Sequence, residues 1–169
     1  MSDDPRLTDL VRSLPATVPF TGPEALERRA GRAFRARLGA NESVFGPSPK
    51  AIEAMQAAVP ETWKYGDPES RDLREALAQE HDIATENIVV GAGIDGLLDS
   101  LVRLTVTEDT PVVASAGSYP TFAYHVAGYG GALVTVPYTK DHEAPDRLIA
   151  KNREVGARLV YLSNPDNPM

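Results

Sequence analysis

The chain contains no cysteine, which excludes disulfides and thiolate metal sites. Histidine is scarce: His81, His125 and His142 are scattered without ligand spacing, so no zinc or other metal site is expected. Long apolar runs are missing too, with nothing near the roughly 18 residues a membrane helix needs. The start, Met1-Ser2-Asp3-Asp4, is acidic and leads into no apolar stretch. That is unlike a secretory signal, and a cytoplasmic protein with no membrane partner is expected. Basic charge is also short, since 17 Lys and Arg against 24 Asp and Glu leave a net charge of −7. Nucleic acid and acidic lipid are therefore disfavoured as partners, because binding phosphate polymers requires a basic surface. Arg28, Arg29, Arg32, Arg35 and Arg37 form a local exception, read as a solvated arm or as inter-subunit ion pairs.

What is present suits a globular domain: 169 residues, 42% of them hydrophobic. Residues 1–40 are interrupted by Pro15, Pro19, Gly22 and Pro23 and read as an N-terminal arm with a short helix from Pro23. Beyond it, Ser48-Pro49 signals a helix start, and Ile52, Met55 and Val59 fall on one face. Asp67-Pro68 repeats that signal, with Leu73 and Leu77 expected as the buried stripe. From residue 88 short apolar runs alternate with helical patterns. Strands are predicted at Ile88–Val90, Pro111–Ala114, Leu133–Val136 and Leu159–Leu162. Helices are predicted around Leu97–Val102, Pro120–Ala127 and Asp146–Val155. Such alternation implies an α/β fold, a mostly parallel sheet with helices on both faces. Ligands of such sheets sit outside the carboxyl ends of the strands, which directs attention to the loops after residues 90, 114 and 162.

The first of these loops is Gly91-Ala92-Gly93-Ile94-Asp95-Gly96, at a strand-to-helix junction. Glycines allow a tight turn and close backbone approach, and the helix start offers unpaired N–H groups to an anion such as phosphate. A tight turn that binds nothing is the plainer alternative. The loop also matches the dinucleotide fingerprint, but the next strand ends in Ala114-Ser115-Ala116-Gly117, without the carboxylate that would hold a ribose. The second loop, Ser115 to Pro120, places Tyr119 where its ring can stack on a flat heteroaromatic or simply pack. The third, Ser163-Asn164-Pro165-Asp166-Asn167-Pro168, is stiffened by two X-Pro steps and can aim Asn167 into the cleft or back onto its own turn.

Taken in order, the pieces Gly39-Ala40-Asn41-Glu42-Ser43, Gly46-Pro47-Ser48-Pro49, Tyr65-Gly66-Asp67-Pro68, Leu73-Arg74, the glycine loop, Ser118-Tyr119-Pro120 and Asn164 to Pro168 resemble the fold-type-I aminotransferases. The resemblance is greatest to the histidinol-phosphate aminotransferase family and covers about residues 38 to 169. It implies pyridoxal 5'-phosphate as cofactor, an amino donor and a keto acid as small-molecule partners, and a homodimer. It further implies that residues 41–169 are the N-terminal part of a cofactor-binding large domain, incomplete here. By the same resemblance the backbone at Gly93, Ile94 and Asp95 would hold the cofactor phosphate, and Tyr119 would stack on the pyridine ring. Asn167 would bond the ring's 3-oxygen, and Tyr65 would reach the partner subunit's cofactor phosphate. Asn41 and Glu42 would lie near the mouth of the substrate site. The Schiff-base lysine is expected beyond Met169, leaving Lys50, Lys64, Lys140 and Lys151 as surface residues and the 169-residue chain inactive alone. The chain has Ser43-Val44-Phe45 where the family commonly has Asn-Pro-Tyr, and Ile94 and Gly96 where it has Ser and Glu. The substrate therefore stays open between histidinol phosphate, another amino acid and a phosphoamino acid undergoing decarboxylation. A binding module for a phosphorylated small molecule is the non-enzymatic alternative.

Overall fold

A computed structural model of the protein describes residues 6–15, 20–38 and 42–166. The chain divides into two compact units, one formed by residues 1–20 with 91–169 and the other by residues 21–90. No helix among the described residues is long and apolar enough to cross a membrane.

The first unit is an α/β layer structure. Its helices are α1 (Asp9–Ser13), which is preceded in no other described element, α5 (Gly93–Thr105), α6 (Pro120–Gly128) and α7 (Pro145–Val155). The intervening labels α2 (Pro23–Ala30), α3 (Pro49–Ala58) and α4 (Arg71–His81) belong to the second unit. Three parallel strands, β1 (Pro111–Ser115), β2 (Ala132–Val136) and β3 (Leu159–Tyr161), pair in the order β2-β1-β3. Val113 of β1 lies opposite Val134 of β2 and Val160 of β3, which fixes the register on both sides.

The central strand is apolar because both of its faces are covered. Val112 and Ala114 join Val102, Val106, Phe122 and Val126 in a core built with α5 and α6. Val113 faces the other way and packs with Val136 and Leu148 of α7. The alternation is the ordinary period of two in a strand. The placement of the helices follows from handedness. The chain moves from β1 to β2 in one direction and from β2 across to β3 in the other, so right-handed crossovers put α6 and α7 on opposite faces. Phe122 stacks on Tyr161 with ring centroids 4.2 Å apart, pinning α6 to β3.

Ile88–Val90, expected as the first of four strands, is not one. The backbone at Ile88 is extended, yet no described strand pairs with it, and a strand without a ladder partner is only extended chain. The helix expected from Pro68 begins at Arg71 instead. Asp67 explains the delay: its carboxylate accepts from the N–H groups of Glu69 and Arg71 at 3.0 and 2.8 Å, closing a turn before the helix can start. The N-terminal stretch holds a helix, α1, beyond the one expected from Pro23; it is capped by Thr8, whose hydroxyl accepts from Val11 N–H at 3.2 Å.

In the second unit α3 starts where Ser48 and Pro49 place it, with Ser48 Oγ accepting from Ala51 N–H at 3.2 Å. None of the described residues in 21–90 is buried, and the stripe expected to be so is not: Leu73 is exposed and Leu77 only half-buried, since no described element of this unit covers that face of α4. Local bonds hold its elements: Arg74 donates to the Thr85 carbonyl at 2.7 Å, and Arg71 pairs with Glu75 at 2.8 Å.

Two outcomes test this account. A methyl group at Gly131 would sit 2.5 Å from Val106 Cγ1 and 2.9 Å from Val126 Cγ1, both in the core beside β1. Gly131→Ala should therefore cost about 1–3 kcal/mol and Phe122→Ala about 3–5 kcal/mol, read as lowered urea midpoints. Unchanged midpoints would mean that this core does not hold the unit together. The second outcome concerns Asp67, whose two backbone N–H bonds hold its carboxyl below the usual carboxylate range. A depressed folded-state pKa stabilises above the unfolded value and is lost as pH falls through the folded one. Asp67→Ala should thus lower helix stability at neutral pH, and the gap from the parent should close on acidification, as followed by far-UV circular dichroism.

Candidate active site

Three segments gather at the carboxyl ends of the strands. Because β1 lies between β2 and β3, the Ser115–Tyr119 loop leaves the sheet flanked by the segments that follow both neighbours. Ser115 is buried, and its hydroxyl donates to Glu143 Oε2 in the segment before α7. The ring of Tyr138, just past β2, lies so close to Gly117 that a Cβ there would come within 2.5 Å of it. The Tyr138 hydroxyl donates to Asp166 Oδ2, the residue before Asn167. Burial first, and then the bonded Asp166, hold the Tyr138 phenol well above its usual value, so it stays a neutral donor. One side chain thus joins the loop that carries Tyr119 to the segment that carries Asp166. A cavity of about 330 Å³ opens beside them, lined by His142, Glu143, Leu162, Asn164 and Asp166 among others.

A two-residue turn carries the segment between β2 and α7. Thr139 and His142 exchange backbone bonds of 3.0 and 3.1 Å, while Lys140 and Asp141 both take positive φ, 53° and 61°. Positive φ at both central positions is the hairpin geometry that reverses the chain most tightly. It returns Glu143 toward Ser115.

The glycine loop stands at the start of α5, and its glycines answer to different constraints. Gly91 is a packing glycine, since a Cβ would meet Leu97 Cδ2 at 2.8 Å. Gly93 is a conformational one, with φ of 69° and open space where a side chain would go. The N-cap residue is Ala92, which has no side-chain acceptor, so the first turn of the 13-residue helix lacks a side-chain cap. Uncapped N–H groups at the positive end of a helix dipole, with open space before them, fit a phosphate group. Ile94 is 70% exposed and brings no hydrogen-bonding group. Asp95 brings one, but His125 Nε2 of α6 holds it at 3.0 Å. Tyr119 is half-buried at the N-cap of α6.

The structure thus brings the Tyr119 loop together with the Asn164–Asp166 segment, and the first turn of α5 together with α6. Tyr65 and Glu42 belong to the other unit. Tyr65 is fully exposed. Glu42 is held by Arg37 through paired bonds of 2.6 and 2.7 Å, and Arg37 also reaches Glu24 at 2.8 Å. That pairing gives one of the clustered arginines an intrachain role. Asn41 and Asn167 lie outside the described residues. No group of three or more His, Asp or Glu able to hold a metal occurs among the described residues.

Tyr138, Glu143 and His125 were absent from the residues expected at the site. Tyr138 carries a signal in the sequence, because the rule that directs attention to strand ends applies equally to the loop after β2. His125 carries a weaker one, namely the spacing of Asp95 and Asp99 on one face of a helix.

The sequence profile of the family described as "Aminotransferase class I and II" matches residues 36–169. A histidinol-phosphate aminotransferase of Anaeromyxobacter sp. (strain Fw109-5) is 33% identical over 162 residues, covering 94% of this chain and 43% of that protein. The chloroplastic histidinol-phosphate aminotransferase 1 of Arabidopsis thaliana is 30% identical over 161 residues, 94% of this chain and 38% of its own. Among solved structures, histidinol-phosphate aminotransferase from Sinorhizobium meliloti, in complex with pyridoxal-5'-phosphate, superposes with a TM-score of 0.94 at 55% identity. The superposition covers 99% of this chain and 45% of that one. The chain therefore spans less than half the length of these relatives. With the glycine loop, the strand-end loops and a profile match across most of its length all in agreement, the chain belongs to the class I and II aminotransferase family.

Proposed function

We propose that this chain forms the cofactor-phosphate and ring-contact portion of a cytoplasmic, homodimeric, pyridoxal 5'-phosphate-dependent aminotransferase. Its substrates would be an amino acid or amino-alcohol phosphate of the histidinol phosphate kind and a keto acid. The observation that carries this reading is the uncapped first turn of α5 behind Gly93. The Sinorhizobium meliloti protein, so similar over nearly all of this chain, is a pyridoxal-5'-phosphate complex, which supports the same cofactor here.

When bound, the cofactor supplies an electron sink for moving a proton at the substrate's α-carbon. The chain's own residues bind and orient. Backbone N–H groups at Ile94 and Asp95 would donate to the phosphate, with Gly93, whose own N–H is bonded to the Gly91 carbonyl at 2.8 Å, shaping the turn before them, and the helix dipole would add to that attraction. Tyr119 would lie against the ring face. Asn167 would donate to the ring's 3-oxygen, with Tyr138 steadying its loop through Asp166. Tyr65 would reach from the partner subunit to the cofactor phosphate, and Asn41 and Glu42 would border the substrate. The chain's four lysines take surface positions: Lys50 lies in the first turn of α3, Lys64 pairs with Glu61, Lys140 sits in a hairpin turn and Lys151 pairs with Glu154. The Schiff-base lysine, as the family resemblance implies, would be none of these four. Residues 41–169 would be the first part of the large domain, and residues 1–40 its arm.

The phosphate assignment is tested by comparing affinities for pyridoxal 5'-phosphate and pyridoxal by equilibrium dialysis. The phosphorylated form should bind far more tightly. Gly93→Val, a β-branched residue forced to positive φ, should reduce that preference by about tenfold or more. Equal affinity for the two forms in the parent would overturn the assignment. The dimer assignment is tested by mixing Tyr65→Phe subunits with Asn167→Ala subunits of the complete enzyme. Random exchange should restore about a quarter of the parent activity, because half the dimers carry one site free of both changes. If the mixture shows only the average of the two variants, Tyr65 does not serve the partner's site.

A further inference from the structure

The first turn of α5 contains a liability that the rest of the structure corrects. Asp95 is the third residue of the helix. In a capping box the side chain at that position folds back onto the N-cap N–H. Here that is Ala92 N–H, at the same helix start as the groups assigned to the phosphate. An unrestrained Asp95 carboxylate drawn back to it would stand beside the phosphate position and repel an incoming dianion.

The carboxylate is not free to do so. His125, on α6 and largely buried, places Nε2 3.0 Å from Asp95 Oδ1 and Nδ1 3.3 Å from Asp99 Oδ1. Asp95 and Asp99 are four residues apart on α5 and so project from the same face. Tyr129, the C-cap residue of α6 one turn beyond His125, reaches Asp99 Oδ2 at 3.4 Å, and the Tyr124 ring meets the imidazole edge-on at 6.4 Å. A neutral imidazole has one N–H and can donate to only one of the two carboxylates, whereas the imidazolium donates to both. The bridge also spans the two helices whose N-termini matter to the site, since α6 begins directly after Tyr119.

We propose that His125 is a positioning residue of the anion site: it bridges Asp95 and Asp99 across α5 and α6, keeping the Asp95 carboxylate off the helix N-terminus so that the backbone N–H groups stay open to phosphate. The proposal rests on the reading of the α5 N-terminus as the cofactor-phosphate site, and it makes His125 act through Asp95 rather than on the cofactor.

The test uses the full chain and measures dissociation constants for pyridoxal 5'-phosphate and for pyridoxal, with no assay of turnover. His125→Phe keeps the packed ring but donates nothing. It should weaken pyridoxal 5'-phosphate binding about fivefold and leave pyridoxal binding unchanged. His125→Gln, which still donates, should stay within about twofold of the parent. In an Asp95→Asn background, His125→Phe should have almost no effect, because the carboxylate it restrains is gone. An equal loss for both cofactor forms, or the same fivefold loss with and without the Asp95 carboxylate, would overturn the proposal. A parent chain that does not prefer pyridoxal 5'-phosphate over pyridoxal would instead refute the phosphate site itself, a separate and recognisable result. Should His125→Phe not fold, His125→Gln with a fivefold loss would also count against the bridge.

Discussion

Parallel pairing on both sides of β1 is the constraint on which the other placements depend. A strand bonded to neighbours at both edges and covered on both faces favours apolar residues, and Val112, Val113 and Ala114 meet that demand, while Ser115 at its end is buried with its hydroxyl bonded to Glu143. Its central position decides which loops meet. If β3 had paired beside β2, the loop carrying Tyr119 and the loop carrying Asp166 would be separated by a strand's width of about 5 Å or more. The crossover hand then sends α6 and α7 to opposite faces, so the turn before α7 returns Glu143 beneath Ser115 while α6 presents His125 to α5. Sheet order, more than any single side chain, composes the site.

Much of this was legible in the sequence because the signals involved are local and periodic. The strand ends at Ser115, Val136 and Tyr161 fall within a residue or so of where apolar runs stop. Pro49, Pro120 and Pro145 each stand in the first turn of a helix, where a missing N–H costs nothing. The misreadings have equally physical causes. Ile88–Val90 has the composition of a strand, but a ladder is a property of two segments and composition reports only one. Asp67-Pro68 has the grammar of a helix start, but the Asp67 carboxylate finds Glu69 and Arg71 first and winds a turn ahead of the helix. The Tyr138–Asp166 and His125–Asp95 pairs join residues 28 and 30 positions apart. No spacing rule reaches across such separations without the topology in hand.

The two units are stabilised in different ways. Residues 91–169 have a core on each face of the sheet, whereas no described residue of 21–90 is buried. Ile52 and Met55 of α3 and Val59 just after it stay exposed at a spacing that marks one face, and Phe45, Trp63 and Tyr65 are more exposed still. An apolar helical stripe of that kind is the signature of a surface made to be covered.

The composition of the glycine loop also bears on how an anion could be held there. Ala92 and Ile94 have no polar side-chain atoms, and Gly93 and Gly96 have no side chain at all. Asp95 has a carboxylate, but it is engaged by His125. The side chains of the first turn therefore leave only backbone N–H groups to meet a ligand. Backbone donors at a helix start favour negative charge and a compact tetrahedral shape, and they discriminate poorly among the groups attached to it. Under the proposed function, selectivity between substrates would then arise elsewhere. Ile94, in place of the serine of the resembled family, would fit that division, because a loop that bound phosphate through its backbone could lose a hydroxyl and keep its grip.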